Sequence, residues 1–132
     1  GGKWWMFTNI DPVMSGDHCS ELFAFWSDSP ISDKWIPHAQ NPLIVDPVNA
    51  RMGGLVCRGG KVFRVAQSQG FRLYGKETRL KEIVKLTEND FEEIDSHTIK
   101  PEFLKGIVGT HHLHSNGNFS VFDYVKIEKI AT

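Results

Sequence analysis

The sequence predicts an all-β fold, and three features of its 132 residues carry this prediction. Short apolar or alternating runs recur along the chain, and such runs are typical of strands. The pairs Gly59-Gly60 and Asn116-Gly117 each separate two alternating runs, which is a strong sign of a β-hairpin. Turn-forming residues recur about every 8–12 residues, as they do between the strands of sandwiches and barrels.

The first hairpin is expected near the N-terminus. Residues 3–10 and 21–27 are apolar nearly throughout and too short for buried helices, so each is predicted to be an interior strand. Residues 11–18 between them are rich in turn formers and predict a long loop. Residues 41–49 are expected to form a connector, because Pro42 and Pro47 cannot donate hydrogen bonds to a sheet.

Two further hairpins and one ambiguous segment follow. Residues 54–58 and 61–67 flank the Gly59-Gly60 turn, and residues 110–115 and 119–125 flank Asn116-Gly117. Residues 77–86 place apolar side chains at helical spacing and also on one face of a strand. A strand is favoured, because a meander with residues 91–94 keeps every connection short. A helix at residues 77–86 would instead indicate an α+β domain.

The predicted strands fall into three groups within a single domain, residues 1–132. The groups are residues 3–38, residues 52–99 and residues 108–130. Their spacing is close to the period of about 40–50 residues that four-stranded β-propeller blades show. We therefore predict antiparallel, blade-like sheets, the third of them partial. A small β-sandwich is the alternative architecture.

Composition narrows the expected partners and compartment. Fifteen basic and sixteen acidic residues give a net charge of −1, which offers no electrostatic basis for binding nucleic acid or an anionic membrane. Cys19 and Cys57 lie in apolar surroundings without metal-site spacing, so two buried, reduced thiols and a cytoplasmic location are expected. The nine Phe, four Trp and two Tyr residues predict an aromatic-rich core that includes Trp4, Trp5 and Trp26.

A series of short motifs occurs in a distinctive order. They are Trp35-Ile36-Pro37-His38, Asn41-Pro42, Ala50-Arg51-Met52-Gly53-Gly54, Arg64-Val65-Ala66-Gln67, Tyr74-Gly75, Phe91-Glu92-Glu93 and Thr110-His111-His112. This order resembles the five-bladed β-propeller domain of glucosamine inositolphosphorylceramide transferases and their bacterial homologues, which is related to the propellers of family 43 glycoside hydrolases. The resemblance implies a propeller of which this chain holds only a part, and it implies sugar-associated chemistry.

Within these motifs, Arg51, Arg64 and Gln67 are the first candidates for ligand binding, because guanidinium and amide groups pair well with sugar hydroxyls or phosphate. Arg64 and Gln67 fall on opposite faces of a regular strand. A structural role of Arg51 and Arg64 in ion pairs is the alternative. Tyr74 is a candidate for stacking on a sugar ring, and His112 is a candidate for contacting the ligand.

Catalytic residues are less well defined. Glycoside hydrolysis needs two carboxyl groups at a set separation, and four residues are available to supply them: Asp28, Asp46, Glu77 and Asp123. Asp28 and His112 are the weak candidates for a catalytic role. His112 and His114 share a strand face, but the sequence offers no further ligands at zinc-site spacing, so no metal and no other cofactor is predicted.

Two functions remain open at this point. The first is a carbohydrate-binding or carbohydrate-processing module with a sugar or sugar-phosphate ligand, for which binding without catalysis is favoured because the chain holds only part of the propeller. The second is a non-enzymatic assembly module. The open sheet edges of a partial propeller invite pairing with another chain, so a homodimer is expected.

Overall fold

The fold is taken from a computed structural model that describes residues 2–70, 73–115 and 117–128, with Leu73 and Tyr74 described by their backbone alone. Within these residues the chain forms ten strands and no helix. The all-β prediction is therefore confirmed. Since the described residues contain no helix, they contain none long and apolar enough to cross a membrane.

The first sheet has four strands arranged around one central strand. They are β1 (Trp4–Thr8), β2 (Glu21–Ser27), β3 (Ile36–Pro37) and β4 (Ile44–Val45). β1 and β2 form the predicted antiparallel hairpin, with Trp4 opposite Ser27 and Thr8 opposite Phe23. β3 and β4 are two-residue strands that pair with β2. The proline-containing connector thus touches the sheet only briefly, as its missing donors require.

The second sheet begins with four consecutive antiparallel strands. They are β5 (Met52–Arg58), β6 (Lys61–Gly70), β7 (Leu73–Leu86) and β8 (Phe91–Ile99). Gly59 and Gly60 connect β5 to β6 with φ angles of +59° and +74°, the positive values that a two-residue hairpin turn requires. The ambiguous residues 77–86 lie within β7, so the strand prediction is confirmed and the helical alternative is wrong.

A second hairpin completes this sheet. It consists of β9 (Ile107–Ser115) and β10 (Ser120–Lys126). Ser120 pairs with Ser115, so the loop spans residues 116–119 and is longer than the predicted Asn116-Gly117 turn, of which Asn116 lies outside the described residues. β9 joins β5 through one parallel pair, Val56 with Ser115. The strand order is β10-β9-β5-β6-β7-β8, so the strands β5 to β8 and the β9–β10 hairpin belong to one sheet.

Three glycines allow β9 to lie very close to β5 and β7. A Cβ atom on Gly53 would lie 2.6 Å from the carbonyl oxygen of His111, and one on Gly54 would lie 2.2 Å from that of Leu113. A Cβ atom on Gly75 would lie 2.1 Å from Cδ2 of the His111 ring. Any other residue at these positions would push β9 away, so the glycines determine how closely β9 packs against β5 and β7.

The interior is more polar and less aromatic than expected. Among the described residues seven apolar side chains are buried: Leu22, Ala24, Ala50, Val56, Val65, Ala66 and Ile107. Nine polar or charged residues are buried as well, with Arg64 and Thr110 fully so. No Phe, Trp or Tyr is buried among the residues whose side chains the structure describes. The prediction of an aromatic-rich core is therefore wrong.

The described aromatic side chains are instead half-buried or exposed. Trp4 is 54% exposed, while Trp5 and Trp26 are half-buried. Nζ of Lys3 lies 3.8 Å from the centre of the Trp26 ring, and a cation over an indole face stabilises that arrangement. Two small sheets that cover each other only in part leave such large rings with one side toward solvent.

The cysteines also differ from expectation. Cys19 and Cys57 are both free thiols, but Cys57 is exposed and Cys19 is half-buried. The expected burial of both thiols is therefore wrong. The reason is local: Cys57 lies next to the exposed end of the β5–β6 hairpin, where the strand leaves the interior.

The close approach of β9 predicts a large difference between two glycine substitutions. Gly54→Ala places a Cβ atom against a backbone carbonyl at a φ of +123°, and we expect it to lower the free energy of unfolding by about 3 kcal/mol or more. Gly59→Ala, at a φ of +59° with no atom within 4 Å, should cost about 1–2 kcal/mol. Urea denaturation measures both values, and equal losses would contradict the packing role of Gly54.

Candidate functional site

Arg51 and Gln67 form a pair at the start of β5, where β5 meets β6. Nε of Arg51 donates to Oε1 of Gln67 at 3.1 Å, and the backbone N–H of Gln67 donates to the carbonyl oxygen of Arg51 at 2.9 Å. Gln67 is only 3% exposed, whereas Arg51 is half-buried. The pair therefore combines a buried amide with a partly accessible arginine.

A β-bulge places the two side chains on one face. Met52 pairs with Ala66 and Gly54 with Val65, so Gly53 is an extra residue in β5. Because of this extra residue, Met52 and Gly54 lie on opposite faces although two positions separate them. Arg51 consequently lies on the face that carries Val65 and Gln67, the face that β9 approaches.

Asn9 holds the backbone on both sides of Arg51. Its Nδ2 donates to the carbonyl oxygens of Glu21 and Ala50, at 2.6 and 3.1 Å, and its Oδ1 accepts from the N–H of Met52 at 2.8 Å. Nη1 of Arg51 also contacts Sγ of Cys19 at 2.6 Å. The end of β1 and the loop before β2 thus position Arg51 precisely enough for a binding role.

One hydrogen-bonding atom of this cluster has no protein partner. Nε2 of Gln67 is buried and makes no hydrogen bond within the described structure. A buried donor without a partner is costly, and native proteins keep few of them. Nε2 of Gln69, two positions further along the same face, is in the same situation. Nε2 of Gln67 can therefore donate a hydrogen bond to a ligand without breaking an existing one. Oε1 of Gln67, by contrast, already accepts from Arg51.

Hydroxyl and imidazole groups lie beside the pair, on β7 and β9. The hydroxyls of Thr78 and Thr110 are buried and 2.8 Å apart, and Thr78 lies opposite Gln67 in the sheet. Nδ1 of His111 lies 3.6 Å from Oδ2 of Asp123. Oδ1 of the same carboxylate accepts from the N–H groups of His111 and His112, at 3.0 and 2.8 Å. Asp123 thus fastens β10 to β9.

The other predicted ligand-binding residues differ in their location. Arg64 lies on the opposite face of β6, as the alternation predicted. His112 is exposed and its Cε1 would contact a Cβ atom on Gly54 at 3.1 Å, so it lies close to the start of β5. Tyr74 is in β7 next to Gly75, which contacts His111, but its side chain lies outside the described residues.

Arg64 is fully buried in an ion pair. Its Nε and Nη2 donate to the two carboxylate oxygens of Glu93 at 2.7 and 2.6 Å, and Nη2 also donates to the carbonyl oxygen of Asn49 at 2.7 Å. This bidentate geometry is the strong form of an arginine–carboxylate interaction. The guanidinium group therefore joins β6, β8 and the segment before β5.

The four candidate carboxylates are held by separate partners. Asp28 is exposed and pairs with Lys3 at 3.2 Å, at the opposite end of the β1–β2 hairpin from Asn9. Glu77 accepts two hydrogen bonds from Arg79. Asp46 accepts from the Val48 N–H at 2.8 Å, and this bond, together with one from the Asn49 side chain, keeps the pKa of Asp46 below its ordinary value.

No metal centre emerges from the described residues. Across residues 2–70, 73–115 and 117–128, no three His, Cys, Asp or Glu side chains come together in a way that could hold an ion. His112 and His114 are both exposed on β9. The chemistry that the Arg51 cluster offers is therefore hydrogen bonding by a cation and an amide.

Sequence reasoning identified Arg51 and Gln67 but missed the residues that hold them. Asn9 and Cys19 lie 42 and 32 positions before Arg51 in the sequence, and no local pattern links them to it. The alternation of β7 could have indicated that Thr78 faces the same side as Gln67. The link between Asp123 and His111 depends on the register of the β9–β10 hairpin, which the sequence predicted only approximately.

The fold and this polar cluster define a class: a small all-β domain in which a half-buried arginine is hydrogen-bonded to a buried glutamine. Residues 1–118 match the family model described as Glucosamine inositolphosphorylceramide transferase 1, N-terminal. The chain belongs to this family, which confirms the resemblance inferred from its motifs.

Curated relatives give the same result. The chain is 31% identical over 108 residues to the proteins named glucosamine inositolphosphorylceramide transferase 1 from Oryza sativa subsp. japonica and from Oryza sativa subsp. indica. Each alignment covers 80% of this chain and 14% of the rice protein, so the chain spans about one seventh of the length of these relatives. No solved structure gives a significant match.

The geometry of Arg64 predicts a strong effect of breaking its ion pair. Arg64→Leu leaves the Glu93 carboxylate without its partner, and we expect the free energy of unfolding to fall by about 3–5 kcal/mol. The double variant Arg64→Leu/Glu93→Leu should be clearly more stable than Arg64→Leu, because no buried charge then remains. Urea denaturation of both variants measures this difference.

A matched control is the exposed ion pair of Lys61 with Glu82. Lys61→Leu should change the free energy of unfolding by about 1 kcal/mol or less. A loss at Arg64 as small as the loss at Lys61 would show that the Arg64–Glu93 pair does not hold the sheet together.

Proposed function

We propose that this chain is a carbohydrate-binding module of propeller type that recognises a sugar or sugar phosphate through Arg51 and Gln67. The observation that carries the proposal is the buried Gln67 amide, whose Nε2 lacks a protein partner beside a half-buried guanidinium group. Sugar hydroxyls are both donors and acceptors, so a hydroxyl can accept from Nε2 of Gln67 beside the positive charge of Arg51.

The surroundings of the pair support a sugar rather than an apolar ligand. The hydroxyls of Thr78 and Thr110 lie on the same face, and His112 and the backbone of Tyr74 lie beside the glycines that β9 crosses. A ligand that enters from the half-buried Arg51 reaches polar groups at each step.

The strand arrangement supports the propeller type. Four antiparallel strands, β5 to β8, are followed by a hairpin whose first strand runs parallel to β5. First strands of consecutive blades would be neighbours in this way around a central axis. The Arg51 pair would then lie at the inner end of a blade, where a propeller has its channel.

The proposal concerns binding. The names of the rice relatives include glucosamine and a transferase activity, so hexosamines are the first sugars to test. The four candidate carboxylates of this chain are engaged with Lys3, Arg79 and backbone groups. A recognition role therefore needs fewer rearrangements than the acid–base chemistry of a hydrolase.

Binding can be tested with neutral sugars. We expect N-acetylglucosamine or another member of a neutral monosaccharide panel to shift the amide resonances of Arg51 and Gln67 in a titration followed by NMR. Arg51→Ala should weaken that binding by about 10–100-fold, since it removes hydrogen bonds from a charged donor.

Arg58→Ala is the matched control, because it removes an exposed arginine from the far end of β5 and should leave sugar binding unchanged. The proposal fails if no sugar of the panel shifts these resonances, or if Arg51→Ala binds as the wild type does while remaining folded.

We propose in addition that two copies of the chain associate through β10. All seven residues of β10 are exposed, and the strand forms one edge of the six-stranded sheet. Val121 is 67% exposed, and the rings of Phe122 and Tyr124 form a cluster with Phe103 outside the core. An exposed edge with apolar side chains on both faces favours pairing with an identical edge across a twofold axis.

The dimer predicts a specific sensitivity to charge. Light scattering at micromolar concentration should give the mass of two chains for the wild type and of one chain for Val121→Lys, because a lysine on an edge strand opposes pairing. Val13→Lys, in a loop and 78% exposed, should remain dimeric. A monomeric wild type would refute this second proposal without affecting the first.

A further inference from the structure

A second cleft lies on the same face as Arg51 but at the opposite end of β5. It has a volume of about 360 Å³ and opens between the edge strand β8 and the β9–β10 hairpin. Arg58 is the last residue of β5 and lies seven positions after Arg51. At about 3.3 Å per residue the two arginines are roughly 20 Å apart, and the cleft is therefore a separate place.

The floor of the cleft is apolar. Phe63, Leu80 and Leu113 line it, and Phe63 is half-buried with its neighbours on β5 and β7. A half-buried ring at the bottom of a cleft offers a flat contact surface to another ring. The volume is at the lower end of the range of small-molecule sites, so a single ring with one substituent is the size that fits.

The rim of the cleft is polar and carries positive charge. Arg58, Ser96, His97 and Ser115 line it, and no Asp or Glu does. Ser120 donates to Ser115 at 3.0 Å, which leaves the Ser115 hydroxyl proton available. The neighbouring Lys61 is neutralised by Glu82 at 2.9 Å. The side chain of Arg58, by contrast, has no hydrogen bond or ion pair with any residue in the part of the chain that the structure describes.

We infer that this cleft is a binding site for a small ring that carries a phosphate group. The guanidinium group of Arg58 would bind phosphate oxygens through two parallel N–H donors. The Ser115 hydroxyl and a His97 ring nitrogen would donate to the remaining oxygens. The ring would lie against Phe63. A charged donor without a partner, above an apolar floor and without a competing carboxylate, selects an anion with an apolar body.

This site is independent of the sugar site proposed above. It uses none of the residues around Arg51, and its ligand is defined by charge rather than by hydroxyl groups. The two proposals can consequently fail separately, since a neutral sugar reports on Arg51 and an aromatic phosphate reports on Arg58.

Phenyl phosphate is the probe for this cleft. In an NMR titration of the whole chain, we expect it to shift the amide resonances of Arg58, His97 and Ser115, and to bind more tightly than either inorganic phosphate or phenol. Arg58→Gln should weaken binding by about tenfold or more, because a charge-assisted pair is lost. Added salt should weaken the wild-type binding as well.

Lys105→Gln is the matched control for charge, because Lys105 is exposed and does not line this cleft. It should bind phenyl phosphate as the wild type does. The inference is overturned if phenyl phosphate shifts no resonance of the cleft, if Arg58→Gln binds unchanged, or if Arg51→Ala abolishes binding while Arg58→Gln does not. The wild-type shift map decides the matter even if a variant fails to fold.

Discussion

The close contact of β9 with β5 and β7 is the constraint on which the second sheet depends. It exists because Gly53, Gly54 and Gly75 carry no side chains where the backbone of β9 and the His111 ring pass. With β9 in place, one face of β6 is covered, and Gln67 becomes buried there. The burial of Gln67 at the candidate site thus depends on how closely the backbone of β9 packs against β5 and β7, and not on a loop that could move independently.

Polar groups buried on the two faces of β6 need hydrogen-bond partners, and the two faces differ in whether those partners are present. On one face of β6, Arg64 is fully buried but holds Glu93 and the Asn49 carbonyl oxygen, so its donors are engaged. On the other face, Gln67 donates nothing through Nε2. Buried polar groups that are satisfied stabilise a unique packing, whereas an unsatisfied one costs stability. This asymmetry separates a structural arginine from a candidate binding residue.

Local chemistry explains what the sequence could predict. The Gly59-Gly60 turn and the strand at residues 77–86 follow from φ preference and alternation over a few residues. The candidate pair was also accessible, because Arg and Gln stand out by residue type. The exposure of Trp4 and Cys57 and the support of Arg51 by Asn9 were not, since they depend on how two sheets cover each other and on contacts between distant positions.

The family motifs can now be divided by what they do in this fold. Glu93 of Phe91-Glu92-Glu93 is the partner of Arg64 in Arg64-Val65-Ala66-Gln67. The Asn41 side chain of Asn41-Pro42 exchanges two hydrogen bonds with the Ala24 backbone. These residues serve folding.

The glycine motifs also serve folding, because they admit the strand that contains Thr110-His111-His112. The His38 ring packs near Trp5, with centroids 6.1 Å apart. Among the buried polar groups of the described residues, the amide of Gln67 makes no hydrogen bond through Nε2 and lies beside Arg51, whose backbone Asn9 holds in position. A fold that holds an arginine from three segments and leaves its buried neighbour with a free donor has a geometry suited to a ligand, and this is the physical basis for the proposal that the pair recognises one.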